Sequence, residues 1–318
     1  MSSSVKQWEQ YYRTGAYATG PAGADGSYDL EVRELWQAFF SSLQKNARVL
    51  DVGTGNGVIA GIAVEVSNLS QLGFEVHGSD LAHIQPMLDV PNAAMRIKDV
   101  HFHPGVATES LPMPNEFYDA ITGHYAIEYA NPKAALEQIY RVLKPGGRAL
   151  FVLHHRDSVL VKNALDTIRE GELVLTQVNL YGKLRDLLGY QGQSKEFAVG
   201  LSEPLRQAIR EVKALLQQVS PEGASQIARI ALDATQTLMR MHGQLPVKAL
   251  VAQVDRAERE LQEAIQRVRD LVNVAPSDEG IARLVSSSEA LGFKCVRTAP
   301  LHHNSSHLVG WSLELFKN

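Results

Sequence analysis

The chain has a single cysteine, Cys295. That excludes an internal disulfide, leaves no cysteine cluster for iron–sulfur chemistry, and leaves none near the central motifs for a covalent route to a pyrimidine carbon. Within Gly-Phe-Lys-Cys-Val-Arg the thiol reads as a strand residue with a packing role. No apolar run approaches the roughly 20 residues that span a bilayer. The start, Met-Ser-Ser-Ser-Val-Lys, lacks the apolar centre of a signal peptide. A cytoplasmic protein with no membrane contact is the expectation. An excess of positive charge is also missing: the net charge of −4 gives no general pull toward nucleic acid or anionic lipid. No ligand set for a metal stands out. At 318 residues the chain has ample material for one large domain or two moderate ones.

What is there centres on Val49-Leu50-Asp51-Val52-Gly53-Thr54-Gly55-Asn56-Gly57-Val58-Ile59-Ala60. An apolar run ends in an acid, three glycines alternate with other residues, and apolar periodicity resumes. This spacing predicts a buried parallel strand, a tight turn and a helix starting near Asn56 or Gly57. The glycines let the backbone take positive φ and let a ligand approach without meeting a Cβ. A dinucleotide turn wants Gly-x-Gly-x-x-Gly, and counting from Gly53 the third glycine falls on Val58, so that pattern fails.

The pattern acid-x-Gly-x-Gly-x-Gly resembles the first motif of the class I S-adenosylmethionine-dependent methyltransferases. The resemblance implies that Asp51, Gly53, Thr54 and Gly55 hold the methionine part of S-adenosylmethionine, the acid orienting its ammonium. Phe74 to Asp80 reads as the second parallel strand and ends in an acid. Asp80 lies 23 positions beyond Gly57 (80 − 57), close to the ~20-residue offset at which a carboxylate meets ribose hydroxyls in a related fold. Such an acid is also a common helix N-cap. Asp80 and the following Leu81 are assigned to the cofactor. Gly105-Val106-Ala107 leading to Leu111-Pro-Met-Pro and Phe117-Tyr-Asp119 resembles a further family stretch. There the family often carries an acid at the place of Val106, accepting from the adenine amino group. Here adenine would rely on backbone near Ala107 and on apolar contact with Val106.

Asp119 to Tyr129 reads as the fourth strand entering the site loop, with His124 beside the cofactor. Pro132 to Leu143 reads as a helix, and Arg141-Val-Leu-Lys-Pro-Gly-Gly147 turns into the fifth strand, Arg148 to His155. This too resembles the family. Four pieces in order, over roughly Arg48 to His155, imply an α/β fold with a Rossmann-like seven-stranded, mostly parallel sheet and helices on both faces.

From Ser158 to Val274 helical stripes dominate. Leu205, Ile209, Val212, Leu216 and Val219 share one face. Leu250, Val254, Ala257, Leu261, Ala264, Val268 and Leu271 step 4-3-4-3-4-3, a coiled-coil seam. Residues 276–318 return to the family pattern with a helix and two strands. The expected division is 1–157 for an N-terminal arm and most of the cofactor domain, 158–275 for a helical insertion after the fifth strand, and 276–318 for the sheet's completion. The insertion is expected to act as a lid or a dimer interface, since a seam longer than its partner stripe needs further cover. That cover would come from the Ile227 to Met241 helix or from a second subunit, and a homodimer built partly on this segment is the expectation. The arm, with Trp8, Tyr11 and Tyr12, either closes over the cleft or packs as a surface helix.

In methyl transfer the sulfonium carbon is already electrophilic, so the protein aligns the nucleophile and excludes water. A base is needed only for a protonated acceptor. His154 and His124 are the candidate bases, each with a packing role as the alternative, and Tyr125, His155 and Arg156 are candidate acceptor contacts. The chain lacks Asn-Pro-Pro-Tyr after the fourth strand, which argues against amide and adenine N6 acceptors. The expected function is O- or N-methylation of a small organic acceptor. An RNA or protein methyltransferase, and a cofactor-binding regulatory protein without catalysis, stand as alternatives.

Overall fold

The computed structural model describes residues 3–18, 30–192, 194–218, 226–304 and 306–318. Val219 of the expected stripe and the glycine segment from Gly20 to Gly26 lie outside them. The chain divides into two compact units, Met1–Val161 with Val274–Asn318, and Lys162–Asn273.

The first unit opens with α1 (Ser3–Arg13) and α2 (Leu30–Ser41), followed by β1 (Arg48–Val52), α3 (Val58–Leu69) and β2 (Glu75–Asp80). Two single-turn helices, α4 (Pro86–Asp89) and α5 (Ala93–Arg96), lead to β3 (Val100–Pro104) and β4 (Tyr118–His124). Then come α6 (Pro132–Val142) and β5 (Leu143–Leu153), after which the chain leaves for the second unit through α7 (Val159–Glu172).

The second unit holds a π-helical turn, Leu173–Gln177, then α8 (Leu180–Gly189), α9 (Lys195–Gln218), α10 (Ile227–Arg240) and α11 (Val247–Val274). The chain returns as α12 (Asp278–Ala290), β6 (Phe293–His303) and β7 (His307–Lys317).

The seven strands run in the order β3-β2-β1-β4-β5-β7-β6, and β7 is antiparallel to both its neighbours. This is the expected Rossmann-like sheet. Its inner strands are apolar on both faces, because both faces are covered. Along β1 the side chains alternate: Val49 joins Trp36, Phe40, Ile59 and Ile62 of α2 and α3. Leu50 joins Ile121 and Phe151 together with Leu136 and Ile139 of α6 and Ile281 and Leu284 of α12. The strand order reverses between β1 and β4, and in sheets of this kind the crevice at the carboxyl ends beside that point receives ligands.

Helix α6 begins as its sequence implies, with Pro132 at the first turn and the Asn131 side chain accepting from Ala134 N–H at 3.2 Å. One boundary differs from expectation. β5 starts at Leu143, ahead of Pro145-Gly146-Gly147, because Leu143 already pairs with Tyr118. The register shifts between Tyr118 and Ala120 to absorb the glycine stretch, where Gly146 has φ +77°.

The helical unit has a core of its own. Leu250, Val254, Leu261 and Ile265 of α11 are buried with Leu184 and Leu188 of α8, Leu205 and Val212 of α9, and Ala231 and Leu232 of α10. Ala257 and Ala264 pack at the border of this core, and Val268 and Leu271 are half-buried. Gly171 of α7 lies where a Cβ would run into Ile265, so glycine permits that close approach. Arg185 of α8 pairs with Asp255, at 2.6 Å, and Glu258 on α11. Much of the seam is thus covered within the chain, by α8, α9 and α10, the last being the expected Ile227 to Met241 helix. Among the described residues no helix is long and apolar enough to cross a membrane.

Candidate functional site

The turn after β1 is built around buried polar groups. Gly53, Gly55 and Gly57 all have positive φ, at +61°, +52° and +83°. Asp51, 1% exposed, accepts from the Thr54 hydroxyl at 2.6 Å and from the Thr122 hydroxyl of β4 at 2.8 Å. Burial pushes its carboxyl up to about 7. Asp80, at the end of β2, accepts from Gly55 N–H and Ala82 N–H, each at 2.8 Å. Burial raises it to about 6. Two buried carboxyls with elevated pKa lie on either side of one glycine turn. A cation and a pair of hydroxyl donors are the chemistry that would relieve them.

Leu81 is exposed beside Asp80, and Val106 is half-buried with its N–H donating to the Asp80 carbonyl at 2.8 Å. Ala107 follows at the start of a one-turn 3₁₀ helix, Thr108–Ser110. Asp51, Gly53, Thr54, Gly55, Asp80, Leu81, Val106 and Ala107 therefore gather along one edge of the sheet. The Thr54 hydroxyl donates to Asp51 and so ties the turn to that carboxyl.

A second group follows β4. His124 accepts at Nδ1 from the Trp36 indole N–H at 3.0 Å. Burial keeps this imidazole well below its usual range, with the neighbouring His154 adding to the effect. Tyr125, at φ +53°, donates its hydroxyl to the Val309 carbonyl of β7 at 2.8 Å and stacks on His154 with ring centroids 4.0 Å apart. His154 lies near the Tyr129 hydroxyl, 3.3 Å from Nε2, and burial pushes its imidazole down to about 3. The sequence-derived candidates His124, Tyr125 and His154 do come together. His155 and Arg156 sit elsewhere. His155 lies against the Trp311 ring, with Nε2 3.2 Å from Asp278. Arg156 donates its backbone N–H to Pro276 at 2.9 Å, and its side chain is exposed.

Asn56 and Glu128 are not singled out as site residues by the sequence, whereas the arm with Trp8 and Tyr12 is. Asn56 donates its side-chain amide to the carbonyls of Tyr12, at 2.9 Å, and Ala16, at 2.7 Å. The arm is thereby fixed on the glycine turn, and the Tyr12 ring fills the place where a Cβ on Gly55 would stand, 2.7 Å away. Trp8 stacks on Tyr12 and meets Tyr129 edge-on, both at 5.8 Å. Glu128, on the one-turn helix Ile127–Tyr129, accepts from His154 N–H at 2.8 Å, and burial raises it to about 7. The only sequence signal for Glu128 was an acid within an apolar stretch. Among the described residues no group of three or more His, Cys, Asp or Glu is arranged to hold a metal.

The chain matches the profile of a methyltransferase-domain family over residues 26–192, more than half its length. It is similar to the ubiquinone/menaquinone biosynthesis C-methyltransferase UbiE of Pectobacterium carotovorum subsp. carotovorum, 33% identical over 126 residues. That match covers 37% of this chain and 48% of the relative, so the chain spans about half the length of the curated relatives it matches. Among solved structures, one similar protein is the Burkholderia thailandensis 1,6-didemethyltoxoflavin-N1-methyltransferase, with bound 1,6-didemethyltoxoflavin and S-adenosylhomocysteine. It is 12% identical at a TM-score of 0.43, over 91% of this chain and 80% of that one. Another is the [4+2]-cyclase SpnF, 17% identical at a TM-score of 0.42, over 99% and 92%. The assignment rests on the family match, the sheet order and the acid–glycine turn rather than on these distant structural likenesses. The chain belongs to the class I S-adenosylmethionine-dependent methyltransferases.

Proposed function

We propose that this enzyme methylates a small organic acceptor at oxygen or nitrogen. The observation that carries the reading is the setting of the glycine turn. Buried rings (Tyr125, His154, Tyr12) and a buried carboxyl (Glu128) stand next to it. Such surroundings suit a small, flat molecule shielded from water. The name of the curated relatives adds carbon as an acceptor atom to be tested alongside oxygen and nitrogen.

The residues present fit the cofactor. Asp51, Gly53, Thr54 and Gly55 would hold its amino-acid part, Asp80 its ribose hydroxyls, and Leu81, Val106 and Ala107 its adenine, with His124 nearby. When bound, it supplies an electrophilic methyl group. The chain's own residues bind, orient and exclude water. The helical unit, Lys162–Asn273, is proposed to select the acceptor. The reading is tested by incubating the enzyme and labelled S-adenosylmethionine with a metabolite extract. Label transferred to a low-molecular-weight product supports it, and transfer only to protein or RNA overturns it.

Asp80→Ala should weaken S-adenosylhomocysteine binding by about 1.5–3 kcal/mol, the range for hydrogen bonds to a charged group. Calorimetry giving unchanged affinity would remove the ribose assignment.

The raised carboxyls also set a pH dependence. Asp51 and Glu128 (about 7) and Asp80 (about 6) hold protons in the fold that they would release at ordinary carboxylate values when unfolded. Their contribution to stability is therefore complete below about pH 4 and is lost as pH rises through 6 and 7. A bound ammonium favours the ionised Asp51. The rise in melting temperature caused by saturating S-adenosylhomocysteine should thus grow from pH 5.5 to 8. A thermal shift that is flat or shrinks over this range would contradict the placement of the ammonium at Asp51.

A further inference from the structure

The loop after β4 carries a carboxyl whose full role the fold does not account for. Glu128 Oε1 is satisfied by the His154 N–H at 2.8 Å. Oε2 is buried and makes no hydrogen bond of good geometry among the described residues, although backbone groups of Ala126 and Glu128 also lie close enough to the carboxyl to favour its ionised form. Buried polar atoms in native proteins are nearly always paired, so an orphaned carboxyl oxygen marks a place where something polar belongs. The loop also lies at the cofactor turn: a Cβ built on Gly53 would stand 2.5 Å from Ala126 Cβ, two residues before Glu128. On its other side Tyr129 meets Trp8 of the arm and the imidazole of His154.

We propose that Glu128 Oε2 accepts the proton that the acceptor's nucleophile gives up on methylation. This rests on the methyl-transfer reading above and narrows the acceptor to molecules whose nucleophilic atom carries a hydrogen: a hydroxyl, a neutral amine N–H, or the ring carbon of a phenol. In the step, the bond from the nucleophile to the methyl carbon forms. The carbon–sulfur bond breaks with its electron pair remaining on sulfur, and the proton passes from the nucleophile to Oε2.

The histidines are less suited to this work. His124 and His154, which face this region from the ends of β4 and β5, are both held neutral by burial, His154 near 3, and would release a proton rather than keep it. Glu128, held at about 7, is poised between its two forms at neutral pH, where general bases work best. Tyr125 and Tyr129 are other titratable groups close by.

The test needs no acceptor. Sinefungin carries an ammonium where the transferable methyl would be, whereas S-adenosylhomocysteine has neither, and the two share the rest of their contacts. Calorimetry on the full chain should find sinefungin bound more tightly at pH 8, by about tenfold or more, as for a charge-assisted hydrogen bond. The preference should shrink at pH 6 as Glu128 takes up a proton. In Glu128→Gln, which keeps an acceptor for His154 N–H, the preference should vanish while S-adenosylhomocysteine affinity stays within about threefold. A preference that persists in the variant overturns the proposal. Should the variant not fold, the parent protein still decides: a preference that is flat between pH 6 and 8 also overturns it. If neither ligand binds the parent protein, the cofactor assignment is what has failed, a separate result.

Discussion

Gly53→Val is expected to abolish measurable cofactor binding while leaving the sheet folded. Gly53 has φ +61°, a conformation valine avoids, and its Cβ would stand 2.5 Å from Ala126 Cβ. The strain of a β-branched residue at positive φ is about 1–3 kcal/mol, and overpacking adds roughly as much again. The clash can be relieved in only two ways: the glycine turn moves, or the loop Ala126–Tyr129 moves. Either displaces groups assigned to the cofactor or acceptor. Affinity for S-adenosylhomocysteine should fall by at least about 100-fold, the equivalent of roughly 2.7 kcal/mol, with far-ultraviolet circular dichroism unchanged. A valine variant that binds within threefold of the parent would mean that this turn does not approach the ligand.

The second large effect is expected in the helical unit. Leu261→Glu places a carboxyl in the buried apolar cluster that also holds Leu184, Leu205, Leu232 and Ile265. An uncompensated buried charge costs roughly 3–5 kcal/mol, a large part of a small unit's total stability. Hydrogen exchange should accelerate across the helices from α8 to α11. Exchange in β1, β2 and β4 should change little, and S-adenosylhomocysteine should still bind. Leu261→Met, which conserves volume, should be nearly silent. Unchanged exchange in α11 of the glutamate variant would show that the seam is not the centre of that core.

These expectations draw unequally on the sequence. The strand, turn and helix from Val49 to Ala60 were legible because local rules agree there: an apolar run, an acid, then glycines where positive φ is needed. Asp80 was legible from its distance along the chain, and the sheet order from the resemblance between Arg48 and His155. Sequence spacing could not reveal contacts between remote segments. Asn56 pins the arm through the carbonyls of Tyr12 and Ala16, more than 35 residues away, and backbone carbonyls leave no trace in residue type. Glu128 was hidden for the same reason, since its partner is the backbone of His154. The candidate bases His124 and His154 were chosen for an ordinary imidazole pKa, and burial is what takes that property away. The seam on α11 is legible in the sequence, and so are two of the stripes that cover it, on α9 and α10. Its cover comes from α8, α9 and α10 together, which no single heptad pattern records.

The place of the helical unit in the chain also bears on how the protein is made. β5 is flanked in the sheet by β4 and β7, yet β7 ends at Lys317, 164 residues after Leu153 (317 − 153). At roughly 5–20 residues per second, a ribosome needs about 8–33 s to supply that stretch. During this time Leu150, Phe151, Val152 and Leu153 form an unpaired apolar edge on an otherwise assembled half-sheet. The nascent chain therefore passes through a stage in which a strand central to the finished sheet is an open apolar edge, and the helical unit, synthesised in that interval, sets how long the stage lasts.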